Sequence, residues 1–244
     1  MNLIVDIGNT RAKVAVVMDG EVVRNYSFSS VADIALEPIL RSFPQLQRAI
    51  VASSGESAEE VIKALKSAGI EVFELSCKTP LPIKNDYATP ATLGVDRLAA
   101  AVGAVEVMGY QNCLIVDFGT AITIDWVENG AFKGGNISPG ATTRFRALHD
   151  YTSRLPLCSP TEEILDYGCS TTEAIEQGVM QGITNEIEGY ISTFSDKNDK
   201  FVVIFTGGEA KFFVNRIKNA IFAKCDLVVC GLNRILEYNA SDKK

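Results

Sequence analysis

Chemistry is first possible in this chain at Asp6-Ile7-Gly8-Asn9-Thr10-Arg11-Ala12-Lys13. The apolar run Leu3-Ile4-Val5 delivers a carboxylate at Asp6, and the alternating segment Lys13 to Met18 follows the Gly-Asn-Thr turn. Strand, tight turn, strand is the economical reading. Gly8 permits the turn and lets a ligand approach the main chain. Asn9, Thr10 and Lys13 then supply donors where a phosphate can sit, with Asp6 near enough to hold a hydrated cation. An ordinary hairpin with a polar turn is the competing reading.

A second copy weighs against that competitor. Ile115-Val116-Asp117-Phe118-Gly119-Thr120 repeats the opening motif 111 residues later, and beyond the turn the offset becomes 110 because Asn9 has no counterpart. Asp19-Gly20 is answered by Asn129-Gly130, each a two-residue hairpin signal between strand-like runs. Both halves therefore begin strand, acidic-Gly-Thr turn, strand, Asx-Gly turn, strand. A duplicated α/β chain with halves 1–111 and 112–244 follows, with mixed sheets flanked by helices and a cleft between the copies as the expected place for a ligand.

Four further stretches carry chemical potential. Gly94-Val95-Asp96-Arg97 opens a helix, where a carboxylate in the first turn also has a plain use in dipole compensation beside a surface arginine. The glycines of Gly134-Gly135-Asn136-Ile137-Ser138-Pro139-Gly140 can turn backbone amides toward an anion or merely turn a corner. Ser170-Thr171-Thr172-Glu173 is a capping box whose hydroxyls can also meet a ligand. Thr206-Gly207-Gly208 follows a buried strand and leads into a helix; in a nucleotide site such a pair lets a base or sugar lie against the backbone.

The positioning elements are readable around these points. Glu21 to Phe28 is a third strand, Ile34 to Leu40 a short helix, Ala49 to Ser54 a buried strand and Glu71 to Leu75 another. Ser57-Ala58-Glu59-Glu60 has the capping-box spacing ahead of a helix with inner stripe Val61, Ile62 and Leu65. The stretch Thr79 to Pro90, rich in proline and holding Tyr87, is a loop of the kind that carries function or simply connects. Leu98, Val102 and Val105 face inward on the helix after Gly94, and Ala99 to Ala101 allow close packing. A helix over 141–150 holds the lone His149 on its surface; a long one carries the stripe Ile175, Val179, Ile183 and Ile187; a last one runs from Leu232 to Tyr238.

Composition narrows the classes. With 244 residues, 47% apolar and 22% charged, the chain can bury a substantial core. A net charge of −7 argues against nucleic acid or an anionic membrane as the main partner. The six cysteines form no C-x-x-C pairs, which argues against zinc and fits reduced thiols in a cytoplasmic setting. No leader segment and no membrane-spanning run are expected. Asp117-Phe118-Gly119 spells a protein-kinase triplet without that family's other signatures, and there is no P-loop, G-x-G-x-x-G or G-x-S-x-G.

The duplicated acidic-Gly-Thr hairpins and the late Gly-Gly resemble the acetate and sugar kinase, Hsp70 and actin superfamily, whose halves are ribonuclease H-like. Within it, the motifs at 6–13, 94–97, 117–120 and 135–140, in that order, resemble type III pantothenate kinase. The resemblance implies transfer of a phosphoryl group from ATP, with Mg2+, to pantothenate, the first step of coenzyme A biosynthesis. It places Asp6, Ile7, Gly8, Asn9, Thr10, Arg11, Ala12 and Lys13 around the ATP phosphates, with Thr120 also on ATP. It places Tyr87, Gly94, Val95, Asp96 and Arg97 on pantothenate, with Asp96 as general base. It makes Asp117 the metal ligand for a monovalent cation, potassium or ammonium, and implies a cytoplasmic homodimer. The family's substrate-contacting threonine before the second long helix falls on Thr171 when Gly168, Ala174 and Gly178 are aligned, with Thr172 also open. The rivals are a kinase for another small hydroxy acid or sugar and a non-catalytic regulatory protein of the same fold. The retained Asp6, Lys13 and Asp96 favour a catalyst.

Overall fold

The computed structural model describes residues 1–55, 57–197, 200–218, 220–222 and 226–241. Its strands are β1 (Asn2–Ile7), β2 (Ala12–Met18), β3 (Glu21–Phe28), β4 (Arg48–Ser53), β5 (Glu71–Glu74), β6 (Lys84–Asn85), β7 (Cys113–Phe118), β8 (Ala121–Glu128), β9 (Ala131–Pro139), β10 (Val202–Thr206) and β11 (Ala220–Phe222). Its helices are α1 (Leu36–Ser42), α2 (Glu59–Ser67), α3 (Val95–Val102), α4 (Ala141–Asp150), α5 (Thr171–Ser195) and α6 (Leu227–Ser241). The described residues fall into two compact units. One takes in Met1–Tyr110, Gly130–Phe132 and Lys224–Lys244; the other takes in Gln111–Asn129 and Lys133–Ala223. The last helix is thus grouped with the first unit.

In the first unit the sheet order is β3-β2-β1-β4-β5. β1 runs antiparallel to β2 and parallel to β4. Because β1 is central, it is apolar on both faces, as a strand covered on both sides must be. Leu3, Val5 and Ile7 point into a core shared with Leu36, Ile39, Val61 and Leu65 of α1 and α2. α6 packs along β1 and β4, and α3 packs against α6. The latter contact is a close backbone approach: a Cβ on Gly231 would overlap the carbonyl oxygen of Ala99, and one on Gly103 that of Leu227. This explains the run Ala99 to Ala101. After Val102 the helix widens into a π-helical turn over Gly103–Val107.

The second unit repeats the plan with β11-β10-β7-β8-β9, where β7 is antiparallel to β8 and parallel to β10. Its core joins Leu114, Val116 and Phe118 of β7 to the α5 stripe Ile175, Val179, Ile183 and Ile187. The first residues of β9, Ala131 and Phe132, sit with the first unit and pair with β6. Both Asx-Gly turns have the backbone their sequence demands, with φ of 51° at Asp19 and Asn129 and of 84° and 70° at the following glycines.

Several expectations need correction. The Ser57 capping box does not form: α2 begins at Glu59 with Ala58 as its cap, and Ser57 Oγ only accepts a long 3.4 Å bond from the Glu59 amide. The helix starts one residue too late for the box register. Thr206-Gly207-Gly208 leads into a 3-10 turn, Ala210–Phe213, and not into the expected helix, although Ala210, Phe213 and Ile217 keep a helical spacing into the core. α6 starts at Leu227, five residues before the expected start at Leu232. Among the described cysteines, four are free thiols and Cys230 is disulfide-bonded, which the reading of uniformly reduced thiols did not foresee; it rested on spacing and compartment, not geometry. No helix among the described residues is long and apolar enough to cross a membrane.

Candidate active site

In the first unit Asp6, at the end of β1, stands in register with Lys13 on β2 and Ala52 on β4. The turn between the strands is closed by the Gly8 amide donating to the Arg11 carbonyl at 3.0 Å. Asn9, Thr10 and Arg11 are exposed, whereas Ile7 and Ala12 are buried in the core and present only their main chain. The loop after β4 packs beneath this turn: the Ser54 amide donates to the Ile7 carbonyl at 2.9 Å, and a Cβ on Gly55 would come within 2.9 Å of Asn9 Oδ1. Lys13 Nζ forms an ion pair of 2.6 Å with Asp226, the residue that leads into α6. Asp226 has no local signature, and sequence reasoning missed it.

The same unit holds the Gly94–Arg97 motif. Gly94 caps α3 by position, and a Cβ there would overlap Asp96 Oδ1. That carboxylate oxygen accepts from the Arg97 amide at 2.9 Å, which turns it back over the start of the helix. Arg97 is not the surface residue expected. It is only 6% exposed, with its guanidinium carbon 5.9 Å from the Tyr87 ring centre and 5.8 Å from that of Phe132. The two rings lie 6.1 Å apart. β6 makes this arrangement: Asn85 pairs with Phe132, the Asp86 amide donates to the Phe132 carbonyl at 2.9 Å, and Asn85 Oδ1 accepts from the Tyr87 amide. The loop with Tyr87 thus carries a two-residue strand that brings this ring to Arg97. Phe132, 35 residues beyond Arg97, was not legible as part of this group.

In the second unit Asp117 ends β7 in register with Thr123 on β8 and Thr206 on β10. The turn repeats the first, with the Gly119 amide donating to the Ala121 carbonyl at 3.2 Å. Gly207 has φ +94°, and a Cβ on it would overlap Asp117 Oδ1. Thr120 is exposed, and its carbonyl accepts from the Gly140 amide at 2.9 Å and from Thr143 Oγ1 at 2.7 Å. The 134–140 stretch is thereby tied to the acidic turn. Arg144 secures its other side, bonding the Pro139 carbonyl, Ser138 Oγ and Glu186. Asp117 Oδ1 and the Phe118 carbonyl, both close against Gly207, are the hard oxygens of this turn.

Ser170 caps α5 as its spacing demands, with both bonds of the capping box formed to Glu173. Thr171 and Thr172 are the first two helical residues, and both are exposed. Gly168 lies so close to the Ala174 amide that no side chain fits there. His149 is an exposed residue whose ring bonds the Leu155 carbonyl.

Comparison with known proteins accords with these motifs. A family model described as type III pantothenate kinase matches residues 2–193. The chain is 41% identical over 240 residues to the type III pantothenate kinase of Phocaeicola vulgatus, covering 98% of this chain and 99% of that one. It is 42% identical over 240 residues to that of Bacteroides fragilis, at 98% coverage of each. Among solved structures, the activator of the 2-hydroxyisocaproyl-CoA dehydratase from Clostridium difficile with bound ADPNP superposes with a TM-score of 0.55 at 15% identity, covering 99% and 97% of the two chains. That likeness speaks to the fold alone, the actin, Hsp70 and sugar kinase arrangement of paired mixed sheets. The family model and the curated relatives carry the rest: this chain belongs to the type III pantothenate kinase family.

Proposed function

We infer that the chain transfers the terminal phosphoryl group of ATP to the primary hydroxyl of pantothenate, the reaction of its family in coenzyme A biosynthesis. The observation that carries the reading in the structure is the start of α3, where a folded-back carboxylate and an aromatic-flanked guanidinium are adjacent residues. Phosphoryl transfer asks mainly for positioning and for neutralisation of developing charge. Arg97 is suited to anchor the substrate carboxylate, since a planar fork held against two rings keeps its orientation and loses little to water. Tyr87, Gly94 and Val95 would line that side, and Thr171 or Thr172 would add a hydroxyl contact. Asp96 would accept the proton of the attacking hydroxyl, a role that needs hydrogen-bond reach in the bound state.

The Gly8–Arg11 turn would face the ATP phosphates through its amides and the side chains of Asn9 and Thr10. Lys13 would join them; its ammonium has three donors, so a phosphate can share it with Asp226 or displace that carboxylate. Mg2+ bound with ATP would neutralise charge on the phosphates, and Asp6 would hold its hydration shell. Asp117 would hold potassium or ammonium, with Thr120 on the nucleotide. Residues 1–111 and 112–244 would be the two copies of one ancestral half, which the matching Asp6 and Asp117 hairpins support. A homodimer is part of this reading.

The test is ADP release across a panel of acceptors in the presence of ATP and Mg2+. Turnover with pantothenate and not with sugars or other hydroxy acids is expected. Turnover with a different acceptor alone would reassign the substrate, and turnover with none would favour a regulatory protein.

A further inference from the structure

The second unit contains a carboxylate that no motif announced. Glu209 follows the Gly207-Gly208 pair in the loop after β10, and its main-chain amide donates to the Phe118 carbonyl at 3.0 Å, fixing it to the acidic turn. Its side chain reaches the opposite way, to the start of α4. Oε2 accepts from the Ala141 amide at 3.2 Å and Oε1 from Thr142 Oγ1 at 2.5 Å. α4 needs such a partner because its cap residue, Gly140, has no side chain to offer. Glycine is required there, since a Cβ would overlap the Gly119 carbonyl oxygen. The chain therefore gives up a local cap to bring two backbones together and recovers the capping carboxylate from a distant loop. A carboxylate at that end also matches the helix dipole.

The loops after β7, β9 and β10 meet at this one side chain. Gly140 and Thr143 both donate to the Thr120 carbonyl, Gly207 sits against Asp117, and Glu209 bonds both sides of the group. We propose that Glu209 is a positioning residue for nucleotide binding: it locks α4 to the Asp117–Thr120 turn and so holds Thr120 and the Gly207-Gly208 backbone in the geometry the nucleotide requires. The proposal rests on the reading that Thr120 serves ATP. Sites of this kind work only when held to within about half an ångström, and loss of a supporting partner typically costs roughly 10- to 100-fold in affinity or activity.

The experiment measures the dissociation constant of a non-hydrolysable ATP analogue with Mg2+ by titration calorimetry, well below the melting temperature, for the parent, Glu209→Gln, Glu209→Ala, Thr142→Val and Asp117→Asn. Glu209→Ala should weaken the analogue roughly 10-fold or more. Glu209→Gln retains one acceptor and should fall between it and the parent. Thr142→Val should weaken binding less than Glu209→Ala, and adding it to Glu209→Ala should cost nothing further, because the bond it removes is already gone. A purely structural cap would lower the melting temperature and the active fraction while leaving the dissociation constant of the folded fraction at the parent value. That result in Glu209→Gln and Thr142→Val overturns the proposal, whatever Asp117→Asn does. If Asp117→Asn leaves binding and its potassium dependence unchanged while the Glu209 variants weaken it, the proposal stands and the cation assignment falls.

Discussion

Asp96→Asn separates catalysis from helix capping more cleanly than any other change, because the structure bounds what each role can lose. Asp96 Oδ1 accepts from the Arg97 amide at 2.9 Å and nestles against Gly94. Asparagine keeps that oxygen and nearly the same shape. What it removes for stability is a charge at a helix N-terminus, worth about 0.3–1 kcal/mol. In a chain of this length that moves the melting temperature by no more than about 4 °C. What it removes for catalysis is the proton acceptor, usually worth roughly 10²–10⁴ in rate, or about 2.7–5.5 kcal/mol of barrier. The two effects differ enough to be read independently, by differential scanning fluorimetry and by a coupled ADP-release assay at saturating substrates.

The expected variant folds, binds ATP and pantothenate near the parent affinities, and turns over 10²–10⁴ times more slowly. Arg97→Ala should differ in kind. Its loss falls chiefly on pantothenate binding, together with a stability cost from emptying the space beside Tyr87 and Phe132. If Asp96→Asn turns over within a few-fold of the parent, Asp96 is not the base, even if the kinase assignment holds. A drop in melting temperature without a turnover defect would leave helix capping as its whole role.

Activity should require potassium or ammonium, so full turnover in a buffer with sodium as the only monovalent cation would remove Asp117 from that role. Activity per chain should fall on dilution as a homodimer dissociates; light scattering that finds a fully active monomer refutes the assembly. Gly231→Ala forces a methyl group onto the Ala99 carbonyl and should cost about 1–3 kcal/mol or more, lowering the melting temperature by several degrees; an unchanged melt would mean that α3 and α6 separate freely. Burial pushes the Cys113 thiol from 9.0 up to about 12. Below pH 9 its contribution to stability is complete, and it is lost as pH rises toward 12, because the unfolded chain releases the proton first. Cys113→Ala should therefore flatten the fall in urea midpoint above pH 9, and an unaltered slope would assign that fall to other groups.

What was legible in the sequence was local. Asn129-Gly130 needs positive φ at both residues and has it; Ser170 and Glu173 are three apart and form their box; the α5 stripe follows the helical period into the core. Ser57 and Glu60 have the same spacing and fail, because nothing in a four-residue pattern sets where the helix begins. The site partners escaped for a different reason. Asp226 reaches Lys13 across 213 positions, and Glu209 reaches Thr142 across 67. Such pairs are made by sheet order, which brings the ends of non-sequential strands to one edge. Arg97 was misread as exposed because one of the rings beside it, Tyr87, arrives through a strand only two residues long, too short for any alternation to show.

The two hairpins share one backbone plan and differ in a register partner. In each, an aspartate ends a central strand, a glycine amide closes the turn, and the carbonyl just after the aspartate (Ile7 or Phe118) accepts from a loop that follows the neighbouring parallel strand. The donors there are the amides of Ser54 and Glu209, so the backbone plan is one plan. The register partner of the aspartate is what changed. Opposite Asp6 stands Lys13, whose ammonium is neighbour to an anionic group both across the strand pair and at Asp226. Opposite Asp117 stands Thr123, which brings no charge. Cross-strand neighbours of opposite sign offset each other, so the register sets a cation opposite the first aspartate and a hydroxyl opposite the second. The extra residue Asn9 lengthens the first turn, whose glycine amide reaches the carbonyl of Arg11, three residues on, where Gly119 reaches Ala121, two residues on.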